Sequence, residues 1–219
     1  MSDADLIARL KAIDCCALSD ALDRLGLKGV VTGLPQRSGE RRIAGRATTV
    51  KLGLGAPPPG PPVHLGAKAI EASGPDNVIV IEQRTGVEAG SWGGLLTLGA
   101  QVRGVAGVVS DGPVRDIDEA IGYGFPVFCR SLTAFTARGR IVEKATNEPI
   151  TVGGVEVKPG DYVAADRSAV VFIAPENIEK VLEAAEAIVA REQAMAAALR
   201  AGTPVGEVMG GAYEHMLKS

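Results

Sequence analysis

Apolar residues change their spacing several times along the chain, and each change predicts an element. Residues 3–12 and 17–25 carry them at helical intervals; in the second segment Leu18, Ala21, Leu22 and Leu25 form one face and Gly26 supplies a stop. Residues 43–52, IAGRATTVKL, are rich in β-formers. The GLGAPPPGPPVH stretch that follows holds five prolines, which exclude regular structure and predict a loop acting as spacer or lid. A helix over 65–73 then leads through the turn SGPDN into VIVIEQ (78–83), the unbroken apolar run of a central strand covered on both faces.

After a glycine-rich loop, TGVEAGSWGG, the period alternates. LLTLGAQVRG reads as helix, VAGVVS as strand, VRDIDEAIGYG as short helix and PVFCRS as strand. That alternation predicts parallel pairing through right-handed crossovers, with ligands gathered at the carboxyl ends of the strands. Beyond residue 150, short β segments with turns at Gly153-Gly154 and Pro159-Gly160-Asp161 predict a second β layer. A long helix from about Pro175 to Leu199 follows, with Ile178, Val181, Leu182, Ala185, Ile188 and Val189 on its apolar face and Gly202 just past its end. The predicted class is α/β: one domain over residues 1–219, with parallel βαβ units, a second β layer and a long C-terminal helix.

Composition narrows the function. At 219 residues and 46% hydrophobic, the chain can bury one substantial core. A net charge of −3, with 23 Lys and Arg spread along the chain, provides no basic field, so direct nucleic-acid binding is not expected. No apolar run approaches the roughly 20 residues of a membrane helix, and the N-terminus carries acids where a signal peptide carries bases. A cytoplasmic protein without membrane partners is expected. Cys15, Cys16 and Cys129 form neither a disulfide framework nor a CxxC pair and read as core thiols.

Charge is concentrated in one place. In GVVSDGPVRDIDEA (107–120), Arg115 and four carboxylates (Asp111, Asp116, Asp118, Glu119) follow an apolar strand within nine residues. Asp111-Gly112-Pro113 reads as a turn, Arg115 and Asp116 as the first turn of the next helix, and Asp116 and Glu119 as sharing one helix face. An arginine fork suits bidentate capture of a carboxylate, and hard carboxylate oxygens suit Mg²⁺ or Mn²⁺. Acids at a helix start also simply offset its dipole, with Arg115 pairing to them on the surface, and the residues alone leave both readings open. In SWGGLL, glycines at a helix N-terminus favour an anion, although a tight packing turn accounts for them as well.

GSWGGLL, GVAGVVSDGPVRDIDE, PVFCRS and ITVGGVEVKPGDYVAADRSAVVFI together resemble the family of the regulator of ribonuclease activity A and the class II 4-hydroxy-4-methyl-2-oxoglutarate aldolases. The likeness spans roughly residues 15 to 205. Its diagnostic part is Gly94, twenty intervening residues, Arg115-Asp116, two more, then Glu119. The resemblance implies a swivelling α/β fold, a homo-oligomer (trimer or dimer of trimers), and a site between subunits. It implies that Arg115 binds the carboxylate of a small 2-oxo acid, that Asp116 is the direct ligand of Mg²⁺ or Mn²⁺, and that the backbone at Gly93, Gly94, Leu95 and Leu96 holds the substrate. Glu192, on the long helix, resembles a glutamate contributed by a neighbouring subunit. The aldolases carry an aspartate where this chain has Gly94, and Glu119 is the substitute expected for it.

The activity so implied is retro-aldol cleavage or oxaloacetate decarboxylation, both leaving a pyruvate enolate that a divalent Lewis acid stabilises. A Schiff-base route would need a buried lysine, whereas Lys68, the only lysine near the loops, reads as a helix-surface residue. The rival reading is a non-catalytic regulator that binds a ribonuclease or helicase. A methyltransferase fits poorly, because no GxGxG loop follows the first strand. Lesser candidates read as structural or stay open: His64 and Trp92 as loop residues, His215 as peripheral, Asp161 and Asp166 as turn residues, and Asp20 as either a helix cap or a residue at the site mouth.

Overall fold

The computed structural model describes residues 2–61 and 63–210. Helices α1 (Asp3–Ala12) and α2 (Cys15–Arg24) lead to strands β1 (Val30–Val31), β2 (Gln36–Ser38) and β3 (Ile43–Gly53). Then come α3 (Ala67–Glu71), β4 (Asn77–Glu82), α4 (Gly94–Val102), β5 (Gly107–Val114), α5 (Ile117–Gly122) and β6 (Val127–Leu132). Strands β7 (Val142–Thr146), β8 (Ile150–Val152), β9 (Val155–Val157), β10 (Tyr162–Ala165) and β11 (Val170–Ile173) precede α6 (Ile178–Arg200) and the short α7 (Val205–Val208). The starts of α1 and α2 are capped as their sequences dictate: Ser2 and Asp5 form a reciprocal capping box, and the Asp14 carboxylate accepts the Ala17 N–H.

The main sheet runs β1-β11-β10-β3-β4-β5-β6-β2, with β7 against the far half of β3. Strands β3, β4, β5 and β6 are parallel neighbours in sequence order. With every crossover right-handed and the order never reversing, α3, α4 and α5 must all fall on one face. Alternation along the strands confirms this. Ile79 and Ile81 pack with Ala69, Ile70 and Ala100 of the helices, whereas Val78 and Val80 pack with Ile150, Val152 and Val157. The expectation that β4 is covered on both faces holds. The same helical face continues as α1, α2 and α6 over β10 and β11, around Leu10, Leu18, Leu22, Val181 and Leu182.

The expected second β layer is present as the β8–β9 hairpin, turned by Gly153 and Gly154 at φ 56° and 89°, while β10 and β11 of the same stretch join the main sheet antiparallel. One expectation is corrected: residues 111–113 are not a turn, because β5 continues through them to Val114, with a register shift between Ser110 and Pro113. Pairing of Pro113 and Val114 with Ser131 and Leu132 keeps this segment extended against its local turn chemistry. The described part of the proline-rich stretch beyond β3 holds no helix or strand, as predicted. Among the described residues, no helix is long and apolar enough to cross a membrane.

Candidate active site

Two loops at the carboxyl ends of adjacent strands build the site: residues 83–93 after β4, and Arg115-Asp116 after β5. They are laced together by backbone. Ser91 N–H donates to the Pro113 carbonyl (2.8 Å) and Arg115 N–H to the Trp92 carbonyl (3.0 Å). The buried Ser91 hydroxyl adds bonds to Ser110 Oγ and Pro113 O, both 2.7 Å. Trp92 is buried and donates its indole N–H to Thr97 (2.9 Å), so it packs the loop, as expected of it.

The glycines of this loop make room for the next one. A Cβ at Gly90 would lie 2.9 Å from Arg115 Cγ, and one at Gly93 would lie 3.0 Å from an Asp116 carboxylate oxygen. At Gly94 it would lie 1.8 Å from Glu119 Oε2. Gly93 has extended backbone (φ −158°), so space rather than conformation demands glycine there. Arg115, Asp116 and Glu119 therefore all lie against Gly90–Gly94.

Their placement differs in detail from the sequence expectation. Helix α5 begins only at Ile117, leaving Arg115 outside it and Asp116 at its N-cap in the left-handed region (φ 57°, ψ 40°). Asp116 does not cap its own helix. It turns back, accepting the Gly94 N–H on Oδ2 (3.1 Å) and approaching Arg115 Nε with Oδ1 (3.3 Å). Asp116 and Glu119 thus meet at the glycine pair rather than along a helix face. Glycine and Asp/Asn tolerate left-handed backbone best, and strain of this kind gathers at functional sites. The Arg115 and Asp116 side chains are each about one third exposed. Asp118 stays exposed in the first turn of α5, offsetting its dipole. Asp111 leaves the cluster altogether: it is buried, paired with Arg130 of β6, and accepts the Gly153 N–H (3.2 Å).

Residues 15–172 match the model of a family described as RraA-like, Aldolase/RraA. The chain belongs to the RraA-like family. Protein DlpA of Legionella pneumophila is 28% identical over 199 residues, covering 91% of this chain, which spans only 32% of that protein's length. A protein of Halalkalibacterium halodurans named "Putative 4-hydroxy-4-methyl-2-oxoglutarate aldolase" is 30% identical over 186 residues, 84% of each chain. The crystal structure of an uncharacterized protein from Pseudomonas syringae pv. tomato superposes with a TM-score of 0.83 at 28% identity, over 94% of this chain and 92% of that one.

On this RraA-like scaffold the remaining candidates separate. Leu95 and Leu96 occupy the first turn of α4, where helix geometry leaves N–H groups without upstream carbonyls. Leu95 is 86% exposed, while Leu96 leans toward Gly66 beside Trp92. Glu192 is not brought to Arg115 and Asp116 within one chain. It lies on α6, which packs on α2, and its carboxyl is raised by burial and then by Asp14 and Asp20. Asp20 is raised in the same way, by burial and then by Asp23 and Asp14, and it does not cap α2, whose N-cap is Asp14. Lys68 is exposed on α3, as read. His64 is exposed and its ring bonds the neighbouring Leu65 carbonyl. Asp161 and Asp166 bind backbone N–H groups of their own turns, and His215 lies outside the described residues. Gly90, Ser91, Ser110 and Arg130 escaped the sequence reading. Parallel register, which sets Ser110 beside Cys129, was the available signal for the Asp111–Arg130 pair.

Proposed function

We propose that this RraA-like chain is a divalent-metal-dependent carbon–carbon lyase acting on small 2-oxo acids, by retro-aldol cleavage of 4-hydroxy-4-methyl-2-oxoglutarate-like substrates, oxaloacetate decarboxylation, or both. The observation that carries this reading is the convergence of Arg115, Asp116 and Glu119 on Gly90–Gly94. Two carboxylates against one glycine pair are a hard, oxygen-only donor set. Mg²⁺ and Mn²⁺ are commonly held in this way, by one or two carboxylates with water and substrate completing the shell. Asp116 would hold the ion directly and Glu119 through water; when bound, it supplies Lewis-acid stabilisation of charge on the 2-oxo oxygen.

The chain's own groups supply the rest. The Arg115 fork fixes the 1-carboxylate, and the N–H groups of Leu95 and Leu96 favour anionic oxygens at the start of α4. Glu119 moves protons: in the retro-aldol direction it takes the one from the 4-hydroxyl as the C3–C4 bond breaks, and it returns one to C3 of the departing enolate. Oxaloacetate loses CO₂ across the same C3–C4 bond, so one arrangement serves both substrates. Assembly belongs to the same reading. Leu95, Leu98 and Val102 form an exposed apolar stripe on α4 beside Ile121 of α5, starting at the site itself. A trimer or dimer of trimers that covers this stripe would allow Glu192 of one copy to serve another copy's site.

Purified protein is expected to release pyruvate from oxaloacetate and 4-hydroxy-4-methyl-2-oxoglutarate only with added Mg²⁺ or Mn²⁺, measured with a lactate dehydrogenase couple, and to lose this activity in EDTA. Borohydride should trap no pyruvate adduct. Turnover that survives EDTA would point to a lysine Schiff base, and no turnover with any 2-oxo acid would leave the regulator reading standing.

Position 94 supplies a sharper test. Gly94 is absent from the positive-φ glycines, so aspartate can adopt its backbone, but the Glu119 carboxylate fills the space the side chain needs. Gly94→Asp alone should lose about 1–3 kcal/mol of stability through overpacking, and most turnover with it. Glu119→Ala alone should lose about 100-fold in activity, where the usual effect of a group that orients a metal's shell meets that of a positioned proton-transfer group. The double variant should be more stable than Gly94→Asp and more active than either single one. Additive losses in this cycle would mean that the two positions do not share a role.

A further inference from the structure

A cavity of about 460 Å³ opens at the carboxyl ends of β4, β5 and β6, lined among others by Arg84, Glu88, Asp111, Pro113, Arg130 and Ser131. Neither Arg115 nor Asp116 lines it. Nothing in the proposed lyase chemistry uses its two arginines.

Arg130 is held in a fixed orientation. Its Nε donates to the Asp111 carbonyl and to Asp111 Oδ1, both at 3.1 Å, and its Nη2 makes a close ion pair with the same carboxylate oxygen. Asp111 is buried beneath it and anchored on its other oxygen by the Gly153 N–H, while the Arg130 side chain is half exposed. A carboxylate buried behind a guanidinium fixes the fork before any ligand arrives. Nη1 is left without a hydrogen-bond partner among the described residues. It faces Gly33, where a Cβ would still lie 3.9 Å away.

The second arginine comes from a braced loop. Gln83 is buried and donates to the Val87 carbonyl (2.9 Å), which closes the loop that carries Arg84. Arg84 is exposed and has no hydrogen bond or ion pair among the described residues. The acids on the wall are otherwise engaged: Asp111 by Arg130 and Gly153, and Glu88 by the Thr133 hydroxyl at 3.0 Å. Val87 and Pro113 add apolar surface. An anchored planar fork, an unpaired guanidinium and an apolar wall together match a carboxylate on a short carbon skeleton.

We propose that this cavity is a second ligand site, separate from Arg115–Asp116, which binds a small organic carboxylate through Arg84 and Arg130. The proposal does not depend on the lyase reading.

The test uses malonate as the probe, titrated calorimetrically into the intact protein in an Arg115→Ala background, which removes the arginine of the other site. One malonate per chain is expected to bind. Adding Arg84→Ala should weaken it at least tenfold, and adding Arg84→Lys should weaken it less, since charge is kept while the fork is lost. Arg84 is exposed, so melting temperatures should stay level across the series. No binding in the Arg115→Ala protein would overturn the proposal. Indifference to Arg84→Ala would overturn it too, as would inorganic phosphate binding more tightly than malonate.

Discussion

Asp116→Gly is expected to abolish metal-dependent pyruvate release while leaving the fold about as stable as before. The two effects separate because Asp116 is held in left-handed backbone at φ 57°. Strain of that kind costs an ordinary residue about 1–2 kcal/mol, less for aspartate, and glycine relieves it. Against that relief stand the greater freedom of glycine in the unfolded chain, the 3.1 Å bond from Gly94 N–H and the 3.3 Å pair with Arg115. Both interactions are partly exposed, so each contributes about 1 kcal/mol or less. The terms cancel to within about 1 kcal/mol, on the scale of these contributions. Asp116→Ala should be less stable than Asp116→Gly, since alanine keeps the strain and loses the acid. Urea midpoints of the three proteins beside their pyruvate release rates check this. An Asp116→Gly protein with substantial turnover would remove Asp116 from the proposed metal site, and one that fails to fold would make its role architectural.

Arg115→Lys should lose about 2–4 kcal/mol of transition-state stabilisation in kcat/KM, the range seen when one preorganised charge-stabilising donor is removed. Charge is conserved, so the loss tests geometry. The arginine stem lies over Gly90 and Gly93, within 2.9 and 3.3 Å of where their Cβ atoms would be, which confines its guanidinium. Nε approaches Asp116 at 3.3 Å, and the two terminal nitrogens remain for a substrate carboxylate. A lysine ammonium can pair with Asp116 or reach for substrate, but it cannot present a fork to one while holding the other. KM for the 2-oxo acid should rise, with stability nearly unchanged, because the pair with Asp116 is about one third exposed. Steady-state kinetics with oxaloacetate would decide it, and near-wild-type kcat/KM would make Arg115 a surface residue that merely neutralises its neighbours.

The readable parts of this RraA-like chain and the unreadable ones divide by the range of the interactions involved. Hydrophobic spacing, caps and turn residues are local, so the sequence by itself determined most of the helices, the alternation behind the parallel β4–β5–β6 core, the Gly153-Gly154 hairpin and the charged run that carries Arg115, Asp116 and Glu119, but not the short strands β1, β2 and β7. Only the tertiary structure decided how those groups meet. Residues 111–113 carry turn chemistry, yet pairing with β6 holds them as strand and delivers Asp116 to a left-handed N-cap instead of a helical turn. The Glu119 carboxylate takes up the space above Gly94, a complementarity between positions 25 residues apart that no local pattern encodes. Asp111 lies in the same charged run as Asp116, but alternation along β5 and register with β6 bury it against Arg130. Periodicity sets which element a residue belongs to; where its side chain ends is set by non-local strand pairing and by the space that glycines leave open.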